Sequence, residues 1–217
     1  MTLRVALRCD NGAIMITAGR HGLHGDPPLK QQVLVIHGAG AGAFDEDGVL
    51  VASLHHARGP AYAVRYPQMP EADSATYAAW KARLERAFAP LDDQGMLVGH
   101  AVGAAVLLTY LSEAQLHTPI SALVLPATPL WGADAFWTWD AARLAEGRAA
   151  ALARSPRIAV YHRRDDEVIP FAHLGLYTAN LPQATIRALD GPGHQFGNAV
   201  TAVAEDRRWC NARRSEP

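Results

Sequence analysis

The stretch Met96-Leu97-Val98-Gly99-His100-Ala101-Val102-Gly103-Ala104-Ala105-Val106-Leu107-Leu108 constrains the fold of this chain more than any other. A short apolar run suited to a buried strand reaches Gly99, crosses a Gly-x-x-x-Gly pentapeptide and turns at once into an apolar helix. That is the layout of a sharp strand-to-helix turn. Such a turn needs a sheet with helices packed directly on it.

The rest of the sequence supplies that setting. Apolar strand-like runs are expected at residues 32–36, 61–66, 95–98, 122–125, 158–161 and 184–189. Helical patterns fall between them, at 49–57, 75–88, 102–111, 170–180 and, after the last strand, 199–209. Asp73 or Ser74 can cap the second helix, in which Tyr77, Trp80, Leu84, Ala87 and Phe88 form one apolar stripe, and Pro170 suits the first turn of the fourth. Residues 3–8 and 13–17, parted by Asn11-Gly12, read as an N-terminal β-hairpin. Residues 211–217 read as a frayed tail. Strands that are apolar throughout and alternate with helices imply an α/β fold with a mostly parallel central sheet covered on both faces. At 217 residues, 49% of them hydrophobic, the chain fills one core and is too short for two comfortable domains.

Composition excludes several functions. Charged residues are 19% of the chain, the formal net charge is −1 and no basic stripe stands out, so neither nucleic acid nor an anionic membrane is an expected partner. No run approaches the ~20 apolar residues of a membrane span, and arginines stand where a signal peptide needs an apolar block. Cys9 and Cys210 lack metal-ligand spacing and read as free thiols, so a cytoplasmic protein is expected. His21, His24 and Asp26 sit in a Gly/Pro-rich loop better read as solvated than as a metal site.

Three loops after strands carry chemistry. The first, His37-Gly38-Ala39-Gly40-Ala41-Gly42-Ala43-Phe44, fits a G-x-G-x-x-A dinucleotide spacing. Asp45, Glu46 and Asp47 follow it, however, and three carboxylates at a helix N-terminus repel a pyrophosphate. The second, Tyr161 to Pro170, sets Asp165, Asp166 and Glu167 between a strand and a helix. The third, Asp190-Gly191-Pro192-Gly193-His194-Gln195-Phe196, holds a histidine between glycines and an aromatic. In an open parallel sheet, loops at the carboxyl ends of the strands converge on one crevice.

With these residues in view, the chain from about Val33 to Phe196 resembles the α/β-hydrolase superfamily, in its small branch with a minimal lid. The resemblance rests on His37-Gly38, the Gly99-His100-Ala101-Val102-Gly103 elbow, Asp166 to Pro170, and Gly193-His194, in the chain order of that family's triad. It implies a serine-hydrolase or carboxylesterase chemistry with no cofactor and no metal. Asp166 is the implied acid, with Asp165 the second choice, and His194 the implied base. The N–H groups of Val102 and of Ala39 or Gly40 are the implied oxyanion hole. An ester-like small molecule is the implied substrate, with His37, His100, Trp131, Phe136 and Trp137 as candidate contacts. Oligomeric state, monomer or dimer, is left open.

One departure matters. Ala101 stands where the family has a hydroxyl, thiol or carboxylate, and a methyl group has no lone pair with which to attack a carbonyl. Two origins fit. A serine changed deliberately to alanine is favoured by the otherwise complete motif set; a natural loss would leave a binding or regulatory protein on the same fold. Between residues 127 and 156 lies the one long insertion, expected to open with Trp131, Phe136, Trp137 and Trp139 and to continue as an alanine-rich helix over 140–152. It is sized for a small lid only, which implies an accessible pocket for short or medium acyl groups.

Overall fold

A computed structural model describes residues 30–92, 95–114, 120–144, 152 and 157–196. The expected N-terminal hairpin, the loop with His21, His24 and Asp26, both cysteines, the helix over 199–209 and the tail lie outside the described residues.

The elements follow in the order β1 (Gln31–Ile36), α1 (Ala43–Arg58), β2 (Tyr62–Arg65), α2 (Tyr77–Phe88), β3 (Met96–Gly99), α3 (Val102–Glu113), β4 (Ala122–Pro126), β5 (Ile158–Asp165), α4 (Ala172–Asn180) and β6 (Thr185–Pro192). The strands form one six-stranded sheet, ordered β2-β1-β3-β4-β5-β6, with every neighbouring pair parallel. The chain winds outward from β1 to β2 and then returns to place β3 on β1's other side. The loops after β1 and β3 therefore leave the sheet in opposite directions. Such a switch point opens a crevice at the strands' carboxyl ends. Register puts the two ends level, with Val35 opposite Val98 and Ile36 opposite Gly99.

Burial on both faces explains the near-continuous apolar strands. Leu34, Ile36, Leu97, Leu123, Leu125 and Val160 point to one side, where Trp80 and Leu84 of α2, Leu107 of α3 and Tyr177 of α4 cover them. Val33, Val35, Met96, Val98, Val124 and Ala159 point to the other, under Leu50 and Leu54 of α1 and under Phe196. The Thr76 hydroxyl caps α2, accepting from the Ala79 N–H at 3.4 Å. The capping residue is thus three positions later than Asp73 and two later than Ser74.

Three elements differ usefully from expectation. Helix α1 begins at Ala43, six residues before the expected start, because Gly42 at φ 82° turns the chain into it and Asp45 and Glu46 suit the positive end of its dipole. Strand β5 continues through His162 to Asp165, since β6 pairs with it past the apolar run. The alanine-rich helix expected from residue 140 opens instead as a 3₁₀ turn over Asp140–Ala142, after which Arg143 is extended. Residues 145–151 lie outside the described set.

Candidate active site

The turn from β3 to α3 is tightly built. The N–H of His100 donates to the Ile36 carbonyl at 2.9 Å, and that of Ala101 to the Pro126 carbonyl at 3.1 Å. The elbow is thereby tied to the strands on both sides. A Cβ on Gly99 would lie 2.5 Å from the Ala104 Cα, and one on Gly103 would run into the His37 carbonyl oxygen, so neither position accepts a side chain. Ala101 itself has φ 49° and ψ −122°, backbone angles that only glycine adopts without strain. At 5% exposure it lines the floor of a cavity of about 290 Å³.

His194 reaches the same cavity from the loop after β6. Its Nδ1–H points at the Asp166 carboxylate, 3.0 Å from each oxygen. Asp166 is closed off from solvent and held in place locally: Oδ1 accepts the N–H groups of Val168 and Ile169, both at 2.9 Å. Burial alone would raise its pKa, but the His194 contact and those two amides outweigh that and hold it below the ordinary carboxylate value. Asp166 is therefore a fixed anion that sets the tautomer of His194, leaving Nε2 as the basic atom. Asp165 ends β5 and is exposed. His162, fully buried beneath, donates from Nε2 to the Ile169 carbonyl at 2.9 Å and lies 3.4 Å from Asp166. Desolvation keeps its pKa below 6.5, so it braces this loop as a neutral ring.

The loop after β1 passes beside the elbow; a Cβ on Gly38 would touch that of Ala101 at 3.4 Å. Its amides have different fates. The Gly38 N–H donates to Asp47 Oδ2 at 2.8 Å, and the Gly40 N–H donates to the Ala72 carbonyl at 2.6 Å. Gly40 is thus removed as an oxyanion donor. Ala39 lines the cavity, and no described hydrogen bond takes its N–H or that of Val102 in the first turn of α3. These two amides can face an oxyanion above Ala101.

Other candidate contacts are placed differently. His37 is fully buried; its Nδ1–H donates to the Gly38 carbonyl at 2.6 Å and its Nε2 accepts the Met69 N–H at 2.8 Å. With both nitrogens used and desolvation lowering its pKa, it shapes the loop as a neutral ring and has no atom left for a ligand. His100 lines the cavity, but its nitrogens are also taken, by Asp47 at 2.9 Å and by the His194 carbonyl at 3.2 Å. Trp131 meets Trp137 at a tilt and Trp139 edge-on, with ring centres 5.4 Å apart in each pair; Trp137 lies against His173 of α4, and none of the three lines the cavity. His173 of α4 anchors that loop: its Nδ1 accepts the Leu130 N–H at 2.9 Å and its Nε2 lies 3.3 Å from Asp134. Phe136 at the tip is 92% exposed.

Asp47 is the residue that motif reading missed. In sequence it reads with Asp45 and Glu46 as part of a charged run. In a helix that starts at Ala43, however, positions 43, 47, 50 and 54 share one face, and Ala43, Leu50 and Leu54 are buried there with it. An acid on an apolar helical stripe was the available signal. Glu46 and Glu167 also line the cavity, with Gln195 donating to Glu46 at 3.2 Å. A second cavity, of about 490 Å³, opens across the residue 40–44 loop against Gln68 and Met69. Among the described residues no cluster of three metal-ligating side chains occurs, and no helix is long and apolar enough to cross a membrane.

No protein-family model and no curated protein matches the sequence significantly. Solved structures do match in shape. The ydeN gene product of Bacillus subtilis superposes with a TM-score of 0.66 at 18% identity, over 76% of this chain and 88% of that one. Est1E of Butyrivibrio proteoclasticus, solved with ferulic acid, gives 0.60 at 15% identity over 83% and 89%. A meta-cleavage product hydrolase of Pseudomonas fluorescens, solved as a serine-to-alanine mutant with acetates, gives 0.57 at 15% over 84% and 91%. The chain has the α/β-hydrolase fold.

Proposed function

We propose that the crevice above Ala101 is an acyl-hydrolase site of the serine type, lacking its nucleophile in this chain. The observation that carries the reading is His194, held by Asp166 at 3.0 Å and lining one cavity with a strained elbow residue. Strain at a non-glycine residue costs on the order of 1–3 kcal/mol, and packing an alanine gives no return for it. A serine there would have one: the elbow lifts its Oγ towards the base and the oxyanion amides.

With serine at position 101, the chemistry runs in two steps. His194 Nε2 accepts the hydroxyl proton as Oγ attacks the carbonyl of an ester-like substrate. The amides of Ala39 and Val102 hold the oxyanion, and the protonated His194 returns its proton to the leaving alcohol. Water then repeats the sequence on the acyl-enzyme. The residues named supply each proton transfer without a cofactor or metal. A cavity of about 290 Å³ fits short or medium acyl groups.

The chain as it stands binds a carbonyl compound without forming an acyl-enzyme. A carboxylate as small as acetate is a suitable first ligand to titrate. The deciding experiment introduces Ala101→Ser and assays a panel of p-nitrophenyl esters. A rise of at least about 10³-fold over the alanine form is expected, with a burst of p-nitrophenol. A serine form no faster on any ester defeats the reading. Ligand binding that leaves the serine form inert would instead favour a small-molecule-binding protein on this fold.

A further inference from the structure

The site contains a second buried histidine–aspartate pair that the hydrolytic chemistry does not use. Asp47 and His100 each have only 1% of the side chain exposed. Their contacts join three segments that are distant in sequence. His100 belongs to the elbow. Its Nδ1 lies 2.9 Å from Asp47, and its Nε2 lies 3.2 Å from the backbone carbonyl of His194. The same Asp47 carboxylate accepts the Gly38 N–H of the oxyanion loop at 2.8 Å. The two imidazole rings sit 4.8 Å apart, centre to centre.

Both nitrogens of His100 face acceptors, a carboxylate at Nδ1 and a backbone carbonyl at Nε2. With both engaged, His100 has no nitrogen open to act as a nucleophile or base in place of the missing hydroxyl. The Asp47 carboxylate in turn gains two partners in a place with little water, the His100 ring and the Gly38 N–H. Burial alone would raise the pKa of Asp47, yet the hydrogen bond and charge of His100, with the Gly38 amide, hold it below its ordinary value.

We propose that Asp47 and His100 are positioning residues, a latch that fixes the His194 backbone and the Gly38-Ala39 amides against the elbow. The proposal rests on the reading of His194 as the base, but its first test does not. In the chain with Ala101, proton–nitrogen-15 NMR of the histidine rings should show a His100 Nδ1–H proton shifted downfield and protected from solvent exchange, assigned by its loss in His100→Gln. Asp47→Asn should abolish that signature. A His100 Nδ1–H that exchanges freely with solvent in the parent chain overturns the latch.

The second test uses the Ala101→Ser form. Loosening the loop misplaces His194 Nε2, so Asp47→Asn and His100→Ala should each lower kcat about tenfold or more while KM stays within about twofold. His100→Gln, whose amide N–H can still reach the His194 carbonyl, should recover part of the loss. A purely structural role would lower the active fraction alike in all three and give no such rescue. If Asp47→Asn does not fold, the two His100 variants decide the matter. A kcat within twofold of the parent in the folded variants overturns the proposal. A serine form inert on every ester overturns the hydrolase reading, and the ring spectrum then decides the latch alone.

Discussion

The two buried histidine–aspartate pairs are alike in chemistry and opposite in wiring. In His194–Asp166 the carboxylate meets only Nδ1, and among the described hydrogen bonds none engages Nε2, which is left for the cavity. In His100–Asp47 both ring nitrogens are engaged. His194 lies on a glycine-flanked loop with 9% of its side chain exposed, whereas His100 is locked within the elbow at 1%. The same two residue types are therefore suited to act as reagent or as fastener according to whether one nitrogen is left open.

Substitutions at the two aspartates should separate these roles. The largest effect is on rate: in the Ala101→Ser form, Asp166→Asn should cut kcat by a factor on the order of 10⁴, because the amide favours the wrong tautomer of His194. Equal losses from Asp166→Asn and Asp47→Asn, measured side by side on one ester, would erase the distinction. Stability should rank the pairs the other way. Asp47→Ala leaves two buried groups, the His100 Nδ1 and the Gly38 N–H, without their acceptor, at a cost of about 1–3 kcal/mol each, while His194 beside Asp166→Ala can hydrate, for a smaller total loss. Urea unfolding of both variants in the alanine form checks the order.

Acid should act on the molecule in two stages. His37 and His162 have folded pKa values below 6.5, so below that pH the unfolded chain binds more protons and stability falls towards their folded pKa values. Asp47 and Asp166 are depressed below 3.8; their contribution is present above 3.8 and is lost as pH falls through their folded values. Urea midpoints should therefore begin to drop near pH 6.5, well before either aspartate titrates. His37→Asn should flatten this upper stage while lowering stability throughout. A midpoint constant from pH 7 to 4.5 would show that the neutral histidines are not coupled to folding. The smallest effect is expected at the elbow. Ala101→Gly relieves the positive φ against glycine's greater unfolded entropy, for a gain of up to about 1 kcal/mol, visible as a slightly raised Tm.

The alternation of apolar runs with helical stripes gave away the parallel sheet, and Gly99 and Gly103 marked its tightest turn. Helix starts were less legible. Residues 43–48 read as a loop followed by charges, because nothing local reveals that Gly42 would adopt φ 82° and start α1 early. The tryptophans of residues 131–139 carried no sign of where they pack. An aromatic suits a pocket wall and a loop cluster equally, and here His173, 34 or more residues away, decides it.

The sequence by itself determined the fold class, the elbow and the absence of an attacking atom at Ala101. Those depend on local periodicity, on two missing side chains and on the chemistry of a methyl group. Only the tertiary structure decided which amides and imidazoles remain open. Gly40 and Ala39 are neighbours of similar character, yet one N–H is spent on Ala72 and the other is not. His100 and His194 are the same residue, yet only the second keeps a nitrogen in reserve. Hydrogen-bond partners come from segments remote in sequence, so what a polar group has left to offer is settled when the strands' carboxyl ends meet.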